Sequence, residues 1–231
     1  LDNRSLRRKS LSIPELIAQN WPRLLSGLGM TVEITIISLV FAAIIGLVFG
    51  LLSVAPQKAL RAIALVYVDI VRGTPLLVQA FFIYFGIPMA LGIRLDQNLA
   101  GVITLSLNAG AYLAEIFRGG IESINSGQME AARSLGLTYG LSMRKVILPQ
   151  AIRTMTPALI NQCIITLKDT SLLSVIGVVE LTQTGKLIIA NNYESFKMWL
   201  IVGVMYFIVI MILSKISKQI ERKMSYGKNK N

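Results

Sequence analysis

Three groups of residues in this sequence have the types and spacing to do chemistry. The first is a polar, basic insert between two strongly apolar segments, Glu130 to Pro149, EAARSLGLTYGLSMRKVILP. Glu130, Ala131 and Ala132 are followed by Gly136, then Leu137, and the segment closes on Leu148 and Pro149. Small residues at 131 and 132 permit close approach of a partner surface, and Glu130 can cap or hydrogen-bond locally. Gly136 allows a turn between two helical pieces, and Pro149 sets the start of the next helix. The segment is either a docking surface for a partner protein or an ordinary basic loop at the membrane surface. The second group is the amides Asn108, Asn161 and Gln162, in or near apolar spans, where an unsatisfied amide costs several kcal/mol. Each must bond a neighbouring helix or a ligand. The third is Lys168, Asp169, Thr170 and Ser171, a polar run that interrupts an apolar stretch. Either Lys168 and Asp169 satisfy each other, or a new helix N-terminus there presents free amides to a carboxylate. Tyr84, among Phe81, Phe82 and Phe85, is a candidate ligand contact whose alternative is packing against lipid or core.

What is missing narrows the chemistry further. The chain has no histidine, which removes the commonest general base and zinc ligand, and its single Cys163 rules out an intrachain disulfide. Cys163 is read as a packing residue, and no metal site is expected. No paired carboxylate motif or activated nucleophile argues for an enzyme, and no GxxxxGK[ST] pattern is present to bind ATP. The net charge of +11 falls at the chain ends and between apolar runs, where membrane topology places it, so nucleic acid is not an expected partner.

The elements that must position these residues are membrane spans. A chain that is 54% hydrophobic with a mean hydropathy of +0.63 cannot bury that much apolar surface in one water-soluble core. Ile34 to Ala55 is uncharged for about 22 residues, enough to cross about 30 Å of hydrocarbon. After the connector Pro56 to Arg61, a second region carries Asp69 and Arg72 and then runs uncharged from Gly73 to Ile93. Asp69 and Arg72, at i and i+3, are expected to neutralise each other. Arg72, Gly73 and Pro75 join a charge, a flexible residue and a helix breaker, and are read as a structural kink rather than a substrate contact. Asn98 to Ala114 and Met198 to Ser214 are further spans. Between them, Thr154 to Leu167 and Thr170 to Val179 are each too short to cross, which predicts a discontinuous fourth helix followed by a short re-entrant or surface helix. The fold class is therefore all-α integral membrane, with about five transmembrane helices. Residues 1–29 form a basic arm with an interfacial helix, 30–216 the membrane domain with its loop at about 119–150, and 217–231 a basic cytoplasmic tail.

Five spans place the chain ends on opposite sides, with the basic loop and tail in the cytoplasm and the N-terminus outside. That leaves Arg4, Arg7, Arg8, Lys9 and Arg23 on the less favoured side. An interfacial helix over Ile13 to Leu28, with Ile13, Leu16, Ile17, Leu24 and Leu28 against lipid headgroups, is one resolution; a preceding extracytoplasmic domain is another. The chain opens on Leu1 without an apolar signal core, and processing, renumbering and excision from a longer polypeptide are equally compatible with that start.

The loop spacing resembles the EAA signature of bacterial ABC importer permeases. RGTPLLVQ at Arg72 to Gln79, NAGAYLAE at Asn108 to Glu115 and KDTSLLSVIG at Lys168 to Gly177 resemble permeases of the polar amino acid importers, over roughly residues 20–225. Asn161 to Thr182 is most similar to the glutamine permease branch. Permeases for basic amino acids in that family tend to carry a glutamate near the position of Gln162, so the neutral side chain argues against arginine or histidine. The loop ends on Val146 where isoleucine is usual, and the N-terminal arm is longer and more basic than usual. The resemblance implies a type I importer architecture in the plasma (inner) membrane. It also implies a dimer of ATPase subunits holding ATP and Mg, and a second permease subunit, a homodimer being favoured. An extracytoplasmic amino acid binding protein or fused binding domain would deliver substrate, and no cofactor is expected in this chain. The alternative is an ion-coupled secondary transporter using Asp69, Glu115 or Asp169, which would need no ATPase and should lack the EAA spacing.

Overall fold

The computed structural model describes the backbone of residues 11–225 and the side chains of 11–220. The side chains of Arg4, Arg7, Arg8 and Lys9, and of Arg222, Lys223, Lys228 and Lys230 in the tail, lie outside the described residues.

Helix α1 runs unbroken over Ile13–Ser53. It starts on a capping box: Ser12 Oγ accepts from Glu15 N, and Ser12 N donates to Glu15 Oε2 at 2.8 Å. Its 41 residues reach about 60 Å, roughly twice a hydrocarbon core. The separate interfacial helix over Ile13 to Leu28 is therefore corrected, because the same helix carries straight into the first span. No terminator stands between Leu28 and Ile34, and Pro22 lies inside the helix without ending it. Leu16 and Leu24 do not face headgroups. Both are fully buried against Leu181, Ile188 and Met198.

Helix α2 (Lys58–Arg72) is followed at 73–75 by a 99° bend into α3 (Leu76–Phe81), a π-helical turn (Phe82–Gly86) and α4 (Ile87–Leu91). Gly92, at φ +65°, ends that arm. Helix α5 (Gln97–Glu122) starts where the Asp96 carboxylate accepts from Asn98 N and Leu99 N. Helix α6 (Ser126–Ser134) and the short α7 (Tyr139–Ser142) follow, then a π-helical turn (Met143–Ile147) and α8 (Leu148–Asp169).

The predicted break at Lys168 and Asp169 is not made. The chain stays helical from Tyr139 to Ile176 and merely tightens into a 3₁₀ segment over Thr170–Ile176. Polar side chains there interrupt the hydropathy pattern but not the backbone. Thr170 Oγ1 donates to Leu167 O at 2.7 Å, and the helix stops only at Gly177, φ +89°. The short helix α9 starts later, at Leu181, and runs to Asn192, with the fully buried Glu180 as its cap. Glu180 accepts from Thr182 N, Gln183 N and Tyr206 Oη. Helix α10 (Ser195–Ser225) completes the chain. Among the described residues, four helices are long and apolar enough to cross a membrane, or five when the bent α2–α4 arm counts as one span.

The frame is the α1–α5 pair. A Cβ added at Gly46 would stand 3.2 Å from both Ala114 N and Gly110 O, so the two backbones touch through small residues. Such close approach is how helices associate where lipid supplies no hydrophobic drive.

Candidate functional site

A cavity of about 600 Å³ lies where the bend of the second arm meets α5 and α8, lined by Arg72, Gly73, Thr74, Pro75, Leu76, Asn108, Tyr112, Gln162, Ile165 and Asp169. Helix spacing explains why its polar groups converge. Asn108 and Tyr112 are four apart on α5 and share a face; Gln162, Ile165 and Asp169 form an i, i+3, i+7 stripe on α8. Asn108 and Gln162 are only 6% and 4% exposed, so each must find a partner in the protein or in the cavity. Asn108 Nδ2 donates to Gln79 Oε1 at 3.1 Å, whereas among the described residues the Gln162 amide has only a long contact of 3.5 Å to Thr166 Oγ1.

The bend is held by a side chain. Gln79 Nε2 lies 2.7 Å from Val71 O, 3.0 Å from Thr74 O and 2.9 Å from Thr74 Oγ1, tying α3 back across the Arg72–Pro75 corner. These groups replace the helical hydrogen bonds that the corner interrupts. Arg72 does not pair with Asp69. Its Nη1 is 3.6 Å from Glu115 Oε2 and its guanidinium sits 5.3 Å from the centre of the Tyr112 ring. The two residues of α2 share one helix face, but the corner puts Arg72 beside α5, and the partner on α5 wins.

Of the residues expected to contact substrate, the structure brings Asn108, Gln162 and Asp169 to one cavity, together with Arg72, Gly73 and Pro75. It places the others elsewhere. Tyr84 packs edge-on against Phe85 at 4.7 Å and on the core of α3–α5. Asn161 points away from Gln162 and is exposed, Thr170 is buried and bonded to its own helix, and Ser171 is half-buried outside the lining. The helix N-terminus imagined at Thr170 and Ser171 does not exist, since helix continues through them. Gln79 and Tyr112 were not picked out from sequence. Both stand inside motifs already noticed, RGTPLLVQ and NAGAYLAE, and the signal for Gln79 was a lone amide shortly after a helix-breaking corner.

The loop of the EAA segment forms a second, exposed feature. Asn125 caps α6 by accepting from Gly127 N at 2.8 Å. The helix ends in a Schellman turn: Gly136, at φ +83°, donates to Arg133 O, and Leu137 N donates to Ala132 O. Leu135, at the tip, is 84% exposed. Glu130 is exposed and makes no hydrogen bond or ion pair with the described residues, so the local capping expected of it is not made. Ala132 is buried while Ala131 is exposed. Leu148 and Met129 pack onto the cluster of Ile121, Ile147, Ala151 and Met155, which fastens the loop to the ends of α5 and α8. Pro149 stands in the first turn of α8 and is exposed.

Residues 42–226 match the model of the family described as the binding-protein-dependent transport system inner membrane component. The chain is 45% identical over 204 residues to the glutamine transport system permease protein GlnP of Escherichia coli K12, covering 88% of this chain and 93% of that protein. It is 37% identical over 215 residues to the arginine transport system permease protein ArtQ of Bacillus subtilis, covering 93% and 96%. A crystal structure of an amino acid ABC transporter with histidines superposes with a TM-score of 0.87 at 37% identity, over 93% of this chain and 99% of that one. The MetNI methionine ABC transporter, at 22% identity and a TM-score of 0.78 over 89% and 98%, shares the fold. The ion-coupled alternative is thereby set aside, and ATP hydrolysis belongs to a separate subunit. With a lever-like exposed loop, up to five spans and a polar cavity between them, the chain belongs to the family of inner membrane components of binding-protein-dependent ABC transporters.

Proposed function

We propose that the chain forms the translocation path for glutamine or a closely related polar amino acid, working by alternating access. The observation that carries this reading is the composition of the α2–α5–α8 cavity. Arg72 and Asp169 supply one cation and one anion, the complement of a zwitterionic amino acid backbone, and Asn108 and Gln162 supply neutral amides for a polar side chain. A cavity with balanced charge and spare amide capacity suits glutamine better than a cationic side chain. The similarity to the Escherichia coli glutamine permease supports the same choice.

The proposed assembly is a two-fold homodimer of this chain with two ATPase subunits, which hold ATP and Mg, and an extracytoplasmic binding protein or fused binding domain. The α6–α7 loop faces the cytoplasm and receives the ATPase, with the C-terminus on the same side and the N-terminus outside. Glu130, Ala131, Gly136, Leu137 and the exposed Leu135 make the docking surface, and nucleotide-driven closure moves it.

The test is ATP-dependent uptake of radiolabelled glutamine into vesicles holding the full complex, with unlabelled glutamate, asparagine, cystine and arginine as competitors. Competition confined to glutamine and close neutral relatives is expected. Competition by arginine at equal concentration would retain the importer and overturn the substrate assignment.

A further inference from the structure

A line of alternating charges leads from the cavity to the exposed loop. Arg72, in the cavity wall, stands 3.6 Å from Glu115 of α5, an ion pair without a hydrogen bond. Both oxygens of Glu115 are instead held by Arg118, through Nε at 3.0 Å and through Nη2. The remaining Nη1 of Arg118 donates to Glu122, the last residue of α5. Arg118 is thus a fork between carboxylates three residues before it and four after it, and its planar donor array suits that bidentate task in a way a lysine cannot. Three residues beyond Glu122 is Asn125, the cap of α6. Ile121, beside Glu122, belongs to the buried cluster on which Met129 of α6 packs.

We infer that the Arg72–Glu115–Arg118–Glu122 ladder makes Arg118 and Glu122 positioning residues that link occupancy of the cavity to the α6–α7 loop, and so to the ATPase. Two observations and one consequence of them carry it. The contact of Arg72 to Glu115 is the loosest rung, so a substrate carboxylate can draw Arg72 away without breaking a hydrogen bond. Once Arg72 turns to substrate, Arg118 alone balances two carboxylates, Glu115 and Glu122, which changes the charge at the end of α5. That end is packed to the loop rather than hinged from it: Met129 of α6 packs on the cluster of Ile121, Ile147, Ala151 and Met155, and a Cβ at Gly120 would stand 3.0 Å from Met155 Cβ, so α5, α8 and the loop meet at this level. The link is therefore a chain of ion pairs ending on a rigid joint, whose first member, Arg72, is the one that would turn from Glu115 to substrate. This rests on the cavity being the substrate site, and the experiment separates the two.

The measurement is ATP turnover of the full complex in proteoliposomes, basal and with saturating substrate-loaded binding protein, alongside uptake KM and kcat. Glutamine is used first. If it stimulates nothing in the unsubstituted complex the glutamine assignment fails, and the variants are then driven with arginine. Arg118→Gln is expected to keep basal turnover and uptake KM within about twofold while stimulation falls about fivefold or more, the range of ordinary allosteric coupling. Arg118→Lys should recover only part of the loss, because it keeps the charge without the fork. Glu122→Gln should lose less than Arg118→Gln, and the double variant no more than Arg118→Gln alone. Unchanged stimulation in Arg118→Gln would overturn the inference. So would basal and stimulated turnover falling in equal proportion, or additive losses in the double variant. Should Arg118→Gln fail to assemble, Glu122→Gln and Arg118→Lys, which keep a charged partner for Glu115, decide by the same ratio.

Discussion

Gly136→Ala isolates what the loop geometry is worth. The residue sits at φ +83°, and a Cβ placed there meets nothing within 4 Å, so substitution brings no clash and its whole cost is backbone strain. For an L-residue in the left-handed region that cost is about 1–2 kcal/mol, and less for asparagine. The strain falls on one turn, because Gly136 donates to Arg133 O and Leu137 to Ala132 O, the bonds that close α6. Local opening of that turn should rise roughly 5- to 30-fold. Hydrogen exchange at the amides of Gly136 and Leu137 reads this directly, where residue 136 is alanine as well as where it is glycine. ATP-coupled uptake should fall in the alanine variant and recover substantially in Gly136→Asn, with span assembly and thermal midpoint nearly unchanged because the loop is exposed. Unaltered exchange in Gly136→Ala, or an asparagine variant worse than the alanine one, would refute the assignment of this residue to a strained turn.

Gly46→Ile should lower the thermal midpoint of the detergent-solubilised complex, since its side chain must enter the space held by Ala114 N and Gly110 O; overpacking of this kind costs about 1–3 kcal/mol, with Gly46→Ala intermediate. Gln79→Leu removes the strap of the 99° corner and the partner of Asn108, and should lower uptake kcat while leaving ATPase docking, measured by co-purification, intact. Glu194 accepts from Leu11 N at 3.0 Å and pairs with Lys197, whose Nζ also donates to Leu11 O, so the start of α1 is fastened to the α9–α10 turn. The hydrogen bond from Lys197 holds the Glu194 carboxyl below its ordinary value of 4.5, so its contribution is present above that pH and is lost as pH falls through the lowered value. The protection factor of the Leu11 amide, its exchange taken against the intrinsic rate at each pH, should fall on acidification through that titration in the native chain, and change little over the same range in Glu194→Gln.

Spans, loop and kink residues were legible because each leaves a one-dimensional signal. Uncharged length marks α5 and α10, the EAA spacing marks the loop, and Gly73 with Pro75 marks a corner. What was not legible depends on which residues meet across the fold. Asp69 and Arg72 have the right spacing to pair, but a three-residue corner hands Arg72 to Glu115, which lies 43 positions further on by their numbers. Lys168 and Asp169 break the hydropathy pattern, but hydropathy does not report backbone continuity; helix formation responds to glycine, proline and local hydrogen bonds, and the next such signal is Gly177. For the N-terminal arm, the charge rule leaves its basic residues on the less favoured side, and an interfacial helix with Leu16 and Leu24 on headgroups is one of the two resolutions the sequence offers. Periodicity identifies a buried face without saying whether lipid or protein covers it, and for Leu16 and Leu24 the cover is α9 and α10.

The division between stiff and yielding parts bears on how such a chain can move. The α1–α5 contact runs through Gly46, Gly50, Gly110 and Ala114, where backbones touch and little sliding is available without opening a void. The second arm, by contrast, turns at a corner held by one glutamine and then passes through a π-helical turn, an element that leaves backbone bonds displaced by one residue. Helix α8 enters the membrane from a second π-helical turn beside the loop. Both π turns flank the cavity-bearing segments, while Asn108 and Tyr112 sit on the stiff frame and Arg72 and Gln162 sit on the segments that follow or precede the soft joints. A rocking motion of the α2–α4 arm and α8 against α1–α5 would therefore open or close the same cavity whose α5 wall continues into the loop. The helix whose middle, at Asn108 and Tyr112, walls the cavity runs on into the loop, so on the proposed reading access and ATPase contact would change together through α5.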